Sequence, residues 1–408
     1  MAACLLNRPA AGQADAKCYP VPVSSAEFCL LEKAWRELFA SCSYPTPFAS
    51  WEWVSEWQRH FLAGSPEGKQ THRLLLLTVT SQAGGLIGLA PFYYPIRTPT
   101  RWQRRDLRLL GDLGRGEGLT EEPILLLRAG CEEAALRAIR VCLARLRFHS
   151  RWDLVNLRYP LLPAETGAGA LARPRRSALL CRERDIALLL RTLPATWETF
   201  RVTLSKSMRD NLAYYPRLLT RHGHAWRIRE ATEPAEVACA VDLLVEKHHQ
   251  RARSARGPRH TDHLPDAVHR DFLKAVMPRL AAQGMASLLT LEVMGQTIAA
   301  LALLANADTL LFYYSGFDPA WYDYSPITIL TAEAIKNGIA RGIRRINFLE
   351  NTTRWKRRWG AQPQAVFRES VSLQLHPLAL LRCLRSREPS SAGCPSEDEP
   401  HDPTTPPV

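Results

Sequence analysis

The sequence predicts an α+β (α/β) chain of two similar units, each a mixed, mostly antiparallel sheet flanked by helices. Three observations carry this. A hairpin pattern recurs in each half of the chain. Each hairpin is followed, after an interval, by an amphipathic helix and a short apolar strand. A stretch rich in Pro, Gly, Ala and Arg, Leu161 to Ser177, separates the halves and reads as a linker or long loop.

In the first half, Arg73 to Thr80 (RLLLLTVT) and Leu86 to Ile96 (LIGLAPFYYPI) flank the turn Ser81 to Gly85. In the second, Ser287 to Val293 (SLLTLEV) and Thr297 to Asn306 (TIAALALLAN) flank Met294 to Gln296. Apolar runs on either side of a short glycine-containing turn are hairpin signals. The helix and strand that follow are Glu132 to Arg147 with Asp153 to Leu157, and Pro326 to Arg341 with Arg345 to Leu349; Asn156 and Asn347 fall at matching places. Between the repeats lie two more helices. Leu204 to His222 begins with a capping-box-like Ser207-Met208-Arg209-Asp210, carries the stripe Leu212, Tyr215, Leu218 and Leu219, and is expected to bend or divide at Pro216. Pro234 to Gln250 is expected to be capped by Thr232, with Val237, Val241, Leu244 and Val245 inward.

Composition narrows the function. A length of 408 residues suits roughly two to three domains of about 150 residues. With 46% hydrophobic and 23% charged residues, the chain is not wholly disordered or collagen-like. The exception is Ser386 to Val408, a proline-rich acidic tail with too little apolar surface to order itself. Arg251 to Pro265 reads as a basic loop. The formal charge of +13 suits RNA, an anionic membrane face or phosphate-bearing cofactors, and equally a solvated basic surface. Ten cysteines are too dilute for a disulfide framework, and none form C-x-x-C or a zinc spacing, so no metal site is expected. Cys142 and Cys239 fit helix patterns as small core residues. No apolar run approaches the ~20 residues of a membrane span, and Met1 to Lys17 lacks the basic and apolar regions of a signal peptide. The expectation is a cytoplasmic protein with no transmembrane segment.

Several chemistries lack their motifs. There is no G-x-G-x-x-G or G-x-x-x-x-G-K-S/T, which argues against a dinucleotide dehydrogenase and a P-loop NTPase. No G-x-S-x-G nucleophile elbow and no H-E-x-x-H zinc helix is present. What remains is the dense segment Leu311 to Trp359. An aromatic strand, Leu311 to Gly316, leads into the loop Phe317 to Tyr324 (FDPAWYDY). Ser325-Pro326 then starts a helix, whose free N–H groups and positive dipole end can seat a phosphate; the other reading is an ordinary capped helix. After the strand Arg345 to Leu349 comes Glu350 beside the basic, aromatic run to Gly360. It reads either as an acid/base pair or anion seat, or as a surface turn whose tryptophans pack on the core. His248 falls near the apolar face of its helix, where a histidine is either a hydrogen-bonded core residue or a base facing a cleft.

These residues resemble the CelD-like acyltransferases, a family of the GNAT superfamily similar to the Fem-type peptidyltransferases with tandem GNAT-like units. The resemblance rests on Tyr314 to Gly316, Asp318-Pro319, Ser325-Pro326, Gly342 to Leu349, and Trp355-Lys356 to Trp359-Gly360. Upstream it includes Pro47 to Trp53, Gly88 to Phe92, Leu109 to Gly111 and Ser205 to Arg221, and it covers about residues 20 to 375. It departs from the family at Asn347, where Asp is usual, at Asn351 (Gly), at Trp355 (Tyr), and at Glu117 to Pro123, where an Asp-rich stretch is usual. If the family Asp assists catalysis, Asn347 cannot be a base in its place, and Glu350 would substitute for it.

The resemblance implies a GNAT-like domain over 20–185 and a GNAT-like acyltransferase domain over 186–380; outside it a flexible N-terminus (1–19) and the compositionally disordered tail (386–408) are expected. It implies an acyltransferase with no permanently bound cofactor, using acyl-CoA (acetyl-CoA) as donor and an amine or hydroxyl on a small molecule or saccharide as acceptor, in polysaccharide or cell-envelope biosynthesis. Peripheral association with envelope-synthesis machinery would follow. Glu350 or His248 would be the base and Tyr313 or Tyr324 the acid. Tyr314, Ser315, Gly316, Ser325, Pro326 and Thr328 would hold the donor; Asn347, Asn351, Trp355, Lys356 and Arg357 would line the substrate channel. The alternatives are a Fem-like transferase using aminoacyl-tRNA, favoured by the basic stretches Lys206 to Arg229 and Lys247 to Arg259, and a catalytically silent scaffold.

Overall fold

The computed structural model describes residues 16–42, 44–62, 72–96, 106–113, 119–122, 125–146, 154–159, 179–256, 260–350 and 353–372. Of the N-terminus expected to be flexible over 1–19, residues 1–15 lie outside them, and Lys17 to Tyr19 instead belong to the first strand; the linker, the acidic tail and Asn351 also lie outside. The first half comprises β1 (Lys17–Val23), α1 (Ser25–Phe28), α2 (Glu32–Ala40), α3 (Trp51–Trp57), β2 (His72–Thr80), β3 (Leu86–Pro95), β4 (Asp106–Leu109), β5 (Leu126–Leu127), α4 (Glu132–Leu146) and β6 (Leu154–Tyr159). The second comprises β7 (Leu179–Thr192), α5 (Trp197–Val202), α6 (Lys206–Arg221), β8 (Trp226–Ala231), α7 (Pro234–Ala252), α8 (Ala267–Ala281), β9 (Ala286–Val293), β10 (Gln296–Ala305), β11 (Thr309–Phe317), α9 (Pro326–Ala340), β12 (Arg345–Asn347), α10 (Arg354–Arg358) and β13 (Gln362–Ser372).

Both expected hairpins form. The β9–β10 turn is the two residues Met294 and Gly295, both at positive φ (50° and 79°), the backbone that keeps the natural twist of a tight hairpin. The two halves do not carry separate sheets, however. One 13-stranded, mostly antiparallel sheet runs β1-β2-β3-β4-β6-β13-β7-β12-β11-β10-β9-β8, with β5 beside β3. The join is β13, which pairs with β6 of the first half on one side and β7 on the other. Nothing local encodes this, because the partners are distant in sequence.

One hydrophobic core also spans both halves. Trp53 of α3 packs edge-on to Phe272 of α8 (5.0 Å, 85°) and to Tyr313 of β11 (5.9 Å, 74°). At its rim Arg279 of α8 pairs with the buried Glu56 of α3. A second core lies on the other face of the sheet, where α9 and α6 cover Leu301, Leu303, Leu310 and Phe312.

Several local expectations need correction. α6 is capped by Ser205, which accepts from the Met208 N–H, not by the Ser207 box. It runs through Pro216 undivided. The stripe Met208, Tyr215, Leu218 and Leu219 stays buried across the proline, and that burial offsets the roughly 3 kcal/mol of an interior proline. α7 starts after Glu233 with no side-chain cap, so Thr232 does not cap it. Cys142 is buried as expected, but Cys239 is exposed on the outer face of α7.

The crossing of α7 over β11 fixes one residue. A Cβ at Gly316 would lie 2.2 Å from the backbone nitrogen of His248. Gly316→Ala is therefore expected to destabilise by at least about 1–3 kcal/mol, as overpacking against backbone does, read as a lower urea midpoint with an unchanged slope.

Candidate active site

The site begins with an irregularity in β11. Leu303 faces Phe312, but Leu301 faces Ser315, so Tyr313 and Tyr314 together oppose the single residue Ala302. Such a bulge interrupts the ladder and re-aims side chains. Neighbours in a regular strand point to opposite faces. Here the two tyrosine rings lie side by side at 4.3 Å, both in the core shared by the two halves.

Beyond the bulge the sheet opens. β11 and β12 are paired in parallel only from Thr309/Arg345 to Leu311/Asn347. Past Asn347 the chain turns away through Leu349 at φ 59°, while β11 continues to Phe317. Residues 119–122 of the first half close over the mouth of this gap. The Tyr313 hydroxyl donates to the Leu119 carbonyl at 2.6 Å. Asn347 Nδ2 donates to Glu122 Oε1 at 2.7 Å, and the Glu350 N–H donates to Glu121 Oε2 at 3.1 Å.

The two adjacent glutamates have different surroundings. Glu122 is fully enclosed and accepts from Tyr44 (2.7 Å), Thr46 and Asn347. Burial raises its pKa against the pull of these donors. Glu121 lacks such a cage. Burial pushes it up to about 8; the Lys356 ammonium opposes the shift and the Glu350 carboxylate adds to it. Lys356 is itself held down by burial, and its Nζ donates to the carbonyls of Phe348 (2.6 Å) and Glu350. The result is a carboxyl held by burial well above the usual carboxylate range beside two buried tyrosines, the profile of a general acid or base.

The other flank of Tyr314 is made by α7 and the loop after it. His248 is fully buried. Its Nδ1 lies 3.4 Å from the Ser315 carbonyl, and its Nε2 accepts from the His263 N–H at 3.2 Å. Burial lowers its pKa to about 4. With both nitrogens engaged it is the hydrogen-bonded core histidine, not a base facing a cleft. Gly316 is filled on this face by the α7 backbone, so it cannot admit a ligand there.

A separate cluster forms at the start of α9. Ser325 takes a left-handed backbone (φ 45°, ψ 56°) and makes no capping bond; its hydroxyl instead meets Thr328 Oγ1 at 2.8 Å. The expected serine cap is therefore absent, while Pro326 does occupy the first helical position. Tyr324 belongs here, its hydroxyl 2.8 Å from His222 Nδ1 and 3.2 Å from His224 Nε2.

The structure thus brings together Tyr313, Tyr314, Asn347, Glu350 and Lys356, and sets Tyr324, Ser325, Pro326 and Thr328 apart. Asn347 is not exposed to a substrate: its amide donates to Glu122 and its carbonyl accepts from the Leu349 N–H at 2.8 Å. Tyr313 spends its proton on Leu119, so it is not a free acid. Trp355 packs on Phe348 and Trp359 in the second core rather than in a channel, and Arg357 faces solvent. Glu121 and Glu122 were missed. Their only signal was the Glu117 to Pro123 stretch standing where an Asp-rich one is usual.

Residues 206–357 match the family described as acetyltransferase (GNAT) domain. No curated protein sequence matches the chain. Among solved structures, FemX aligns with a TM-score of 0.56 at 9% identity, over 90% of this chain and 100% of that one. Two others are the C-terminal domain of a putative lysylphosphatidylglycerol synthetase from Agrobacterium fabrum (TM-score 0.48, 10% identity, 88% and 96% covered) and a tandem GNAT protein from the clavulanic acid pathway (0.45, 13%, 88% and 100%). At these identities the likeness concerns the fold, and it rests on the first. The fold is GNAT-like, with mixed helices and antiparallel-rich strands.

Glu121 has a consequence for stability. Its carboxyl holds a proton up to about 8 in the folded chain, against 4.5 for the free group. Between these values the folded state binds more protons, so stability falls as pH rises. Glu121→Gln is expected to flatten that decline and to be more stable than the wild type above pH 8, measured by urea unfolding across pH 4–9.

Proposed function

We propose that the chain is a GNAT-type acyltransferase, moving an acyl group from acyl-CoA, acetyl-CoA in the simplest case, to an amine or hydroxyl of a small-molecule or saccharide acceptor. The observation that carries this reading is the gap between β11 and β12, bordered by a bulged strand on one side and by the proton-exchanging Glu121 on the other. The match of residues 206–357 to an acetyltransferase domain supports it.

Direct transfer needs no covalent enzyme intermediate. The acceptor N–H or O–H loses its proton to Glu121 as its lone pair attacks the thioester carbonyl. The interrupted ladder around Tyr313 and Tyr314 offers backbone N–H groups to the developing oxyanion. The C–S bond then breaks, and the thiolate takes a proton from solvent. Glu121 replaces Glu350 and His248 as the base, because His248 has both nitrogens engaged and Glu121 carries the shifted proton. Lys356 keeps the Phe348–Glu350 turn in place and limits how far Glu121 shifts. The donor's pyrophosphate sits at the start of α9, around Ser325 to Thr328, with Tyr324 along its path. The working unit is the segment 186–380, with 20–185 supplying Glu121. A CelD-like role in polysaccharide or envelope biosynthesis in the cytoplasm fits this reading.

Two measurements test it. Calorimetry should give specific micromolar CoA binding that survives moderate salt and weakens when Ser325 and Pro326 are replaced by bulky residues; unchanged affinity sinks that placement. Turnover should rise with pH up to a plateau above about 8, where Glu121 is ionised. Glu121→Gln should lower kcat by about 10²–10⁴-fold and remove the pH limb while CoA still binds. A second reading, an aminoacyl-tRNA donor, draws on the +13 charge and the likeness to FemX. It predicts tRNA binding that falls steeply with salt and no CoA binding. A silent scaffold predicts no turnover with either donor.

A further inference from the structure

Arg251, at the end of α7, is a partly buried cation without an acid. Its Nη1 lies 3.3 Å from Ser315 Oγ, and its guanidinium sits 5.2 Å above the Phe317 ring. Among the described residues no carboxylate pairs with it. Asp323 is taken by Arg256, and Asp262 is turned toward the Leu264 N–H, His248 and His249. A charge taken partly out of water without a counter-ion is costly unless a ligand completes it.

A second feature lies beside it. His260 Nε2 is buried with no hydrogen-bond partner. Its ring is 5.0 Å from that of His248 and 6.1 Å from that of His263. His263, at the solvent-facing rim, stacks on Tyr314 at 5.9 Å and 29°. Burial together with the Arg251 charge holds His260 down to about 3, and Arg251 itself is lowered to about 10 by burial. All these groups would be relieved by one negative charge.

We infer that Arg251, Ser315, His260 and His263 form a seat for an anionic group, carboxylate or phosphate, carried by the acceptor. Position argues for the acceptor. The seat and Glu121 both border Tyr314, His263 stacking on its ring and the Glu121 carboxyl acting on its hydroxyl, so one molecule can present its nucleophile to Glu121 and its anion to Arg251. The start of α9, where the donor's phosphates are placed above, packs in the second core; Tyr314, on which His263 stacks, belongs to the first, and Phe317 beneath Arg251 packs against the second. The seat itself follows from the contacts of Arg251 and His260. Its assignment to the acceptor rests on the acyltransferase reading.

The test is a titration of histidine-selectively ¹³C-labelled full-length protein with inorganic phosphate and, separately, with acetate. Saturable shifts of the His260 and His263 signals are expected with at least one anion. A phosphate-only response points to a phosphoryl group and an acetate response to a carboxylate. Arg251→Met should weaken the response at least 10-fold. Arg251→Lys, which keeps the charge but not the fork, should fall between and serves if the first variant does not fold. CoA affinity should be the same in wild type and variants. Absence of saturable shifts in the wild type, or an unchanged response in Arg251→Met, overturns the seat. A parallel loss of CoA affinity gives it to the donor's phosphates and overturns the acceptor assignment. If the wild type binds no CoA while the anion response persists, the acyltransferase reading fails and the seat stands.

Discussion

The arrangement depends on a buried hydrogen bond between distant parts of the chain: Asn347 at the end of β12 donates to Glu122 in the loop before β5. An enclosed carboxyl must be satisfied or it destabilises the fold. Glu122 is satisfied by Tyr44 and Thr46 from the first half and by Asn347 from the second. That anchors residues 119–122 across the gap between β11 and β12. It also brings the neighbouring Glu121 to the Glu350 N–H and the Lys356 ammonium. The enclosed carboxyl and the one proposed as base are adjacent in sequence, and the first positions the second.

The bulge in β11 works with this anchor. A regular strand would send one tyrosine to each face of the sheet. Because two residues oppose Ala302, both rings stay on the side where the halves meet, Tyr313 against Phe48 and Trp53 of the first half and Tyr314 against His248 and His263. The same strand is pinned from the other flank by α7, whose backbone lies directly on Gly316. The gap therefore has rigid walls supplied by three elements far apart in sequence, as a site that must hold reacting groups in register requires.

Charge is divided along the same line. Glu121 and Glu350 with Lys356 come to Tyr314 from the loops of the two halves, and α7 and its loop bring Arg251 and three histidines held down by burial. The net charge of +13 gave no hint of this division, because it sums surface arginines with the few cations that are enclosed. Burial and a missing counter-ion give a charge its chemical meaning, and both are properties of the packed state.

The sequence by itself determined what depends on neighbours in the chain. The hairpins at residues 72–95 and 286–305 follow from apolar runs around short turns. The buried faces of α6 and α7 follow from helical spacing, and Pro326 starts α9 because its ring suits the first helical position. The tertiary structure alone decided where distant segments meet. The cap of α6 falls on Ser205, and α7 starts after Glu233 with no side-chain cap, because cap geometry depends on the entering backbone. Asn347 became an anchor, and Glu121 acquired its poised proton, only once a loop of the first half was buried against the second. The merging of both halves into one sheet through β13 has the same origin. Long-range pairing is chosen by the whole packed chain, and no local pattern records it.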